Sequence, residues 1–267
     1  MNLGLEGRTA AITGAGRGIG LATARMLAEA GANLILIARD EDQLTAAAEE
    51  VAGLGSAEPI PLVLDVTAPG AATTLLGHAS DAFGAIDILV NNAGTARWRD
   101  LDEVPEADWQ AAWDLNVMAP KRLMDALIPA MVERGWGRVV NVSSTAGKRP
   151  SAQMAEYSVA KAAQLSLSRL YADRHAASGV LVNAVCPGPT RSEMWMEEGG
   201  LLDQSQAASG AASREAALAA AGAKRPIGRL ADVGEIASAI AFLCSDRASY
   251  VAGAAWSVDG GTVQVII

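Results

Sequence analysis

Apolar and polar positions alternate along the chain in two rhythms. Short runs in which nearly every residue is apolar, rich in Val, Ile and Leu, recur at 9–13, 33–38, 60–66, 86–91, 137–143, 179–186 and 255–258. Runs that short with no polar face predict strands buried on both sides, as in a parallel sheet covered by helices. Between them lie longer segments of helical period at 19–30, 41–53, 73–83, 106–134, 155–178 and 233–244. Gly31, Gly84 and Gly179 stand where these helices should end, since glycine accepts the left-handed turn of a C-cap. The alternation predicts an α/β protein with a doubly wound, seven-stranded parallel sheet and helices on both faces, in three layers. Residues 197–224, Ala-rich and bracketed by Gly199-Gly200 and Gly222, interrupt the pattern. They predict one or two helices over the sheet edge, either a surface hairpin or a mobile substrate lid occupying about 190–225. No linker or repeat divides residues 1–267, which read as a single domain.

Composition narrows the function classes. With 51% hydrophobic residues over 267 positions the chain can bury a large core, so disorder is excluded. Its formal charge is 21 − 30 = −9, and no block of Lys or Arg offsets it, so nucleic-acid phosphate would repel it. Cys186 and Cys244 form no C-x-x-C pair and have no neighbouring histidine, and His78 and His175 lack ligand spacing. No metal is expected, and the compartment should be reducing. Glu6 and Arg8 break the N-terminus before any signal-like apolar stretch forms, and no run is long and uncharged enough to span a bilayer. The expectation is a cytoplasmic protein without membrane or nucleic-acid partners.

Directly after the first predicted strand comes Thr13-Gly14-Ala15-Gly16-Arg17-Gly18-Ile19-Gly20, followed by an amphipathic segment. Glycines there let the backbone turn sharply and approach a pyrophosphate, while the first amides of the following helix point at the anion. The spacing is a variant of G-x-G-x-x-G, because Ile19 takes the last position. No Gly-Lys-Ser/Thr ending follows, which disfavours a nucleoside triphosphatase. Tyr157 and Lys161 lie four apart on a predicted helix, so they share a face. A phenol with a pKa of about 10 is a poor acid–base at neutral pH, and a nearby ammonium should bring it toward working range.

Five motifs in this order, spread over nearly the whole chain, resemble the short-chain dehydrogenase/reductase family. They are the glycine loop, Asn91-Asn92-Ala93-Gly94, Ser143-Ser144, Tyr157-Ser158-Val159-Ala160-Lys161, and Pro187-Gly188-Pro189-Thr190. Within the family the pattern is most similar to 3-oxoacyl-(acyl carrier protein) reductases and related alcohol dehydrogenases. The resemblance implies a Rossmann-type fold and a hydride transfer between a nicotinamide and a carbonyl or secondary alcohol. It also implies residue roles. Ser144 polarises the substrate oxygen and Tyr157 donates the proton. Lys161 holds the nicotinamide ribose and lowers the Tyr pKa, and Asn116 holds a water linking Lys161 to solvent. Gly14, Gly18, Ile19 and Gly20 would cradle the pyrophosphate. Asp65 and Val66 would meet the adenine, Asn92, Ala93 and Gly94 the adenosine side, and Pro187, Gly188 and Thr190 the carboxamide. Tyr157 and Lys161 belong to the cofactor set as well.

At the end of the second strand, where an NAD site usually carries an acid, stands Ala38, followed by Arg39. Arg39 and Arg17 would clamp a 2′-phosphate, which favours NADP(H); Asp40 keeps NAD(H) open. Trp98, Met154, Met194, Trp195 and Met196 either line an apolar pocket for a medium-sized carbonyl or fill core. Two other readings compete: a catalytically silent dinucleotide-binding regulator, and an epimerase or dehydratase, which needs a larger C-terminal portion than follows Thr190. The seventh strand should lie at a sheet edge and end in the apolar tail 265–267, which with the family habit predicts a homotetramer.

Overall fold

The apolar runs pair in parallel register, and the computed structural model, which describes residues 2–55 and 57–264, joins them into one sheet. Its strands are β1 (Thr9–Thr13), β2 (Asn33–Ala38), β3 (Ile60–Val63), β4 (Ile88–Asn91), β5 (Gly137–Val142), β6 (Val180–Pro187) and β7 (Ala255–Val258), in the order β3-β2-β1-β4-β5-β6-β7. The helices are α1 (Gly18–Glu29), α2 (Glu41–Val51), α3 (Ala71–Phe83), α4 (Glu106–Trp113), α5 (Ala119–Glu133), α6 (Ala155–His175), α7 (Glu193–Met196), α8 (Leu201–Ser209), α9 (Arg214–Ala223) and α10 (Val233–Cys244). The chain winds outward from β1 to β3, then crosses back to β4. The carboxyl ends of β1 and β4 therefore flank the crevice where such sheets bind ligands.

Successive strand residues point to opposite faces and feed two separate cores. Ala10, Ile12, Leu34, Leu36, Ile88 and Val90 meet Leu27 of α1, Leu44 of α2 and Ile240 of α10. Ala11, Ile35, Ile37 and Leu89 meet Leu75 of α3 and Leu123 and Leu127 of α5 on the other side. Both faces being covered is why these strands read as unbroken apolar runs.

Two expectations change. The third strand ends at Val63 rather than Val66, because the Asp65 carboxylate takes the Thr67 amide at 2.9 Å and its hydroxyl at 2.7 Å and turns the chain. The helix expected over 106–134 is broken by a π turn, Asp114–Met118, between α4 and α5. Pro120 explains the break: it has no N–H to give the Asn116 carbonyl, and its ring crowds that carbonyl out of the ladder. Residues 197–224 hold two helices, α8 and α9, as expected, and the short α7 stands just before them. They close on a core of their own, Trp195, Leu201, Leu202, Ala217, Ala221 and Leu230, against which Trp98 packs. β7 lies at the sheet edge as expected, while the tail 265–267 lies outside the described residues. Among the described residues no helix is long and apolar enough to cross a membrane, and no group of His, Cys, Asp and Glu could hold a metal ion.

Candidate active site

β5 delivers Ser143 and Ser144 to the carboxyl edge of the sheet, and α6 starts beside them with Tyr157 and Lys161 one turn apart. The Lys161 Nζ lies 5.6 Å from the centre of the Tyr157 ring. The two serines have different jobs. Ser143 is buried and donates its hydroxyl to the Lys161 main-chain carbonyl at 3.0 Å. Ser144 accepts from the Ala146 amide at 3.0 Å, and its hydroxyl favours the ionised form of the neighbouring Tyr157 phenol. Gly147 makes this approach possible, since a first side-chain carbon there would fall 2.9 Å from the Lys161 carbonyl.

Asn116 enters from the π turn. It is fully buried, its Nδ2 donates to the Ala112 carbonyl at 2.9 Å, and its Oδ1 has no partner among the described residues. A side chain on Gly94 would put its first carbon 3.5 Å from that Oδ1 and 3.7 Å from the Lys161 Nζ. Gly94, Asn116 and Lys161 thus close on one point from three elements.

Electrostatics departs from the sequence reading in one respect. Burial pushes the Tyr157 phenol up to about 12, with the Ser144 hydroxyl opposing, and burial pulls Lys161 down to about 7. The expected lowering of Tyr157 by the ammonium is not what the site does, because desolvation disfavours the charged form of both groups. At neutral pH the phenol keeps its proton.

The glycine loop meets the demands of a dinucleotide phosphate. Gly14 and Gly18 have φ of +65° and +60°, and α1 begins with no capping side chain and no acid in its first turn, so its amide donors stay available. Gly20 serves packing, because a first side-chain carbon there would fall 2.1 Å from the Gly14 carbonyl. Ile19 sits in the first turn of α1, where its carbonyl accepts from Thr23. Asn92 spends its Nδ2 on the Thr13 and Gly14 carbonyls, and the Asn92 and Ala93 amides both bond Thr13 Oγ1. These residues brace the loop from β4. The exposed Asp65 carboxyl is held below its usual range mainly by Thr67, and Val66 is buried beside it. Across the cleft Gly188 bonds the Val258 carbonyl, and the Thr190 hydroxyl donates back to Gly188 at 2.9 Å. Pro187 ends β6 next to them.

Just past the end of β2, Asp40 caps α2 by accepting from the Gln43 amide at 2.9 Å. Arg39 beside it is exposed and makes no ion pair among the described residues. Arg17 is paired with Glu197 of the insert, a partner no local sequence signal could reveal. Gln164, three after Lys161 and hydrogen-bonded to it, also escaped the sequence reading, although an i, i+3 neighbour on a helix was its signal.

The family model described as enoyl-(acyl carrier protein) reductase matches residues 14–263. The chain is 36% identical over 263 residues to a 3-oxoacyl-[acyl-carrier-protein] reductase of Vibrio cholerae, covering 98% of this chain and 100% of that one. It is 37% identical over 261 residues to a cis-4-hydroxycyclohexanecarboxylate dehydrogenase of Sinomonas cyclohexanicum, covering 97% of each. Its fold is similar to that of L-sorbose reductase from Gluconobacter frateurii complexed with NADPH and L-sorbose, with a TM-score of 0.92, 32% identity and 100% of both chains covered. All three relatives are named as reductases or dehydrogenases, which gives a catalytically silent regulator no support.

Proposed function

The chain belongs to the short-chain dehydrogenase/reductase family and is a nicotinamide-dependent oxidoreductase, and from that footing we propose how its own residues carry the reaction and what it prefers. The observation that carries the proposal is the meeting of Ser144, Tyr157, Lys161 and Asn116 at the carboxyl edge of the sheet beside an uncapped glycine loop. When bound, the nicotinamide supplies or accepts the hydride. The chain does the rest. Ser144 donates to the substrate oxygen as charge grows on it, and Tyr157 gives that oxygen its proton. Lys161 turns an N–H toward the cofactor ribose, and Asn116 anchors the polar end of the site behind it. Gly14, Arg17, Gly18, Ile19, Gly20, Arg39, Asp65, Val66, Asn92, Ala93, Gly94, Pro187, Gly188 and Thr190 would hold the dinucleotide.

NADP(H) is the preferred cofactor in this reading. Asp40, which would have served NAD, is committed to capping α2, whereas Arg39 is open to a 2′-phosphate. Arg39→Ala should weaken NADPH by about tenfold or more and NADH little; equal losses in the two dissociation constants would make Arg39 a surface residue. Glu197→Gln, which frees Arg17, should tighten NADPH by up to about fivefold, the scale of an exposed ion pair. Unchanged NADPH affinity would deny Arg17 a part in the clamp.

The substrate we propose is a hydrophobic or medium-sized carbonyl, a 3-oxoacyl group among them. Trp195 is spent on the core of the insert, Trp98, Met194 and Met196 pack half-buried against that core, and Met154 stands half-buried just before α6; together these residues would offer an apolar wall to such a substrate. The insert acts as a substrate cap, and the enzyme as a cytoplasmic homotetramer. A screen with a 3-oxoacyl thioester, a cyclic ketone and a keto sugar, each with NADPH and NADH and read by nicotinamide absorbance, tests the reading. Turnover of the apolar carbonyls with NADPH is expected; turnover of the keto sugar alone would overturn the substrate class.

A further inference from the structure

Lys161 and Gln164 share one turn of α6, and both are closed to solvent, at 2% and 1% exposure. Burying a glutamine is costly unless both ends of its amide are bonded. Here one end is: Oε1 accepts from Lys161 Nζ at 3.2 Å, while Nε2 has no partner among the described residues. A leucine would fill the same space without that cost, so packing does not account for an amide at this position. The ammonium beside it does.

The same residue is fixed from below. Ser168 donates to the Gln164 main-chain carbonyl at 2.7 Å, Asn141 donates to the Ser168 hydroxyl at 2.8 Å, and Asn91 donates to Asn141 Oδ1 at 2.7 Å. This buried polar chain fastens α6 to β5 and β4. An ammonium has three N–H donors. One of those on Lys161 reaches the Val142 carbonyl at 2.6 Å and a second reaches Gln164, which leaves the third for the side where Gly94 and Asn116 converge.

We infer that Gln164 is a positioning residue for proton transfer: its side-chain carbonyl holds Lys161 as an ammonium with one N–H toward the cofactor cleft, and so sets the pH at which that ammonium is lost. The inference rests on the role proposed for Lys161. The titratable groups facing Lys161 among the described residues are Tyr157 on its own helix and Cys186 from β6. The surrounding strand and π turn contribute the Val142 carbonyl, the Ser143 hydroxyl and the Asn116 amide. Burial pushes the Cys186 thiol up to about 11 and Tyr157 to about 12, so both are neutral near pH 7. No carboxylate among these groups balances the lysine, and the neutral carbonyls of Val142 and Gln164 carry that task.

The chain has four lysines, Lys121, Lys148, Lys161 and Lys224, so the full-length protein made with isotope-labelled lysine gives four resolvable side-chain signals by NMR. Lys161 is assigned by the signal missing in Lys161→Met. Titrated without cofactor or substrate, Gln164→Leu should lower the Lys161 midpoint by about one pH unit, the worth of one charge-assisted hydrogen bond. Gln164→Glu should raise it by about one to three units, since it sets an opposite charge in contact. Opposite shifts from one position require an electrostatic role; a packing role moves neither midpoint. If Gln164→Glu does not fold, Gln164→Met joins Gln164→Leu, and both must shift downward. A Lys161 midpoint unmoved in folded variants overturns the inference and leaves the proposed function standing. Wild-type carbonyl turnover by Lys161→Met would instead overturn the role of Lys161, and the inference with it.

Discussion

Tyr157→Phe should lose at least about a hundredfold in carbonyl turnover and bind the nicotinamide dinucleotide as wild type does. The substitution removes one oxygen and leaves the ring that fills the start of α6, so the glycine loop and the cleft edge are untouched. What disappears is the proton. The Tyr157 phenol is raised to about 12 by burial, so it holds its proton at neutral pH. The Ser144 hydroxyl survives in the variant and still polarises the substrate oxygen, which is why turnover should fall steeply rather than vanish. The pH profile supplies a second check. Tyr157 stays neutral far above neutrality, so the alkaline decline of reduction in the wild type should follow Lys161, which is lowered to about 7. Activity should be full below that point and decline as the pH rises through it. A Tyr157→Phe variant that turns over like wild type would remove Tyr157 from the chemistry.

The inner strands of the sheet were legible because they are covered on both faces, so that Ala10 to Ile12 or Leu34 to Ile37 read as solid apolar blocks with no polar face to confuse them. The glycine loop and the Tyr157–Lys161 pair were legible because each is local: one turn of chain or one turn of helix brings the groups together. What escaped the sequence depends on distance or on burial. The Arg17–Glu197 pair joins residues 180 positions apart. The π turn left its trace in Pro120, inside a segment whose apolar period otherwise continues across the break. The direction of the Tyr157 shift turned on solvent. A lysine four residues away argues for a lowered phenol, and only the depth of the pair shows that desolvation outweighs the attraction.

Lys161→Met should abolish most turnover and at the same time stabilise the protein near neutral pH. The first half follows from the loss of the N–H that faces the cleft and of the positive charge beside Tyr157. The second follows from linkage. The folded protein holds Lys161 at about 7, well below the 10.5 of a free lysine, so folding disfavours the ammonium. That cost is complete below about pH 7, shrinks as the pH rises between the two values, and is gone above the upper one. A methionine has similar length and no charge to desolvate, and it also frees the Val142 carbonyl and Gln164 Oε1 from their donor, which offsets part of the gain. The net expectation is a gain on the order of 2 kcal/mol at pH 6, fading by pH 10, measured as the difference in urea unfolding free energy between variant and wild type. The pH dependence of that difference separates this account from ordinary repacking, which would stabilise or destabilise equally at both ends. A lysine kept buried on α6 at this cost is held there by its chemistry. Equal stability of Lys161→Met and wild type at pH 6 and pH 10 would show that the folded protein does not depress Lys161.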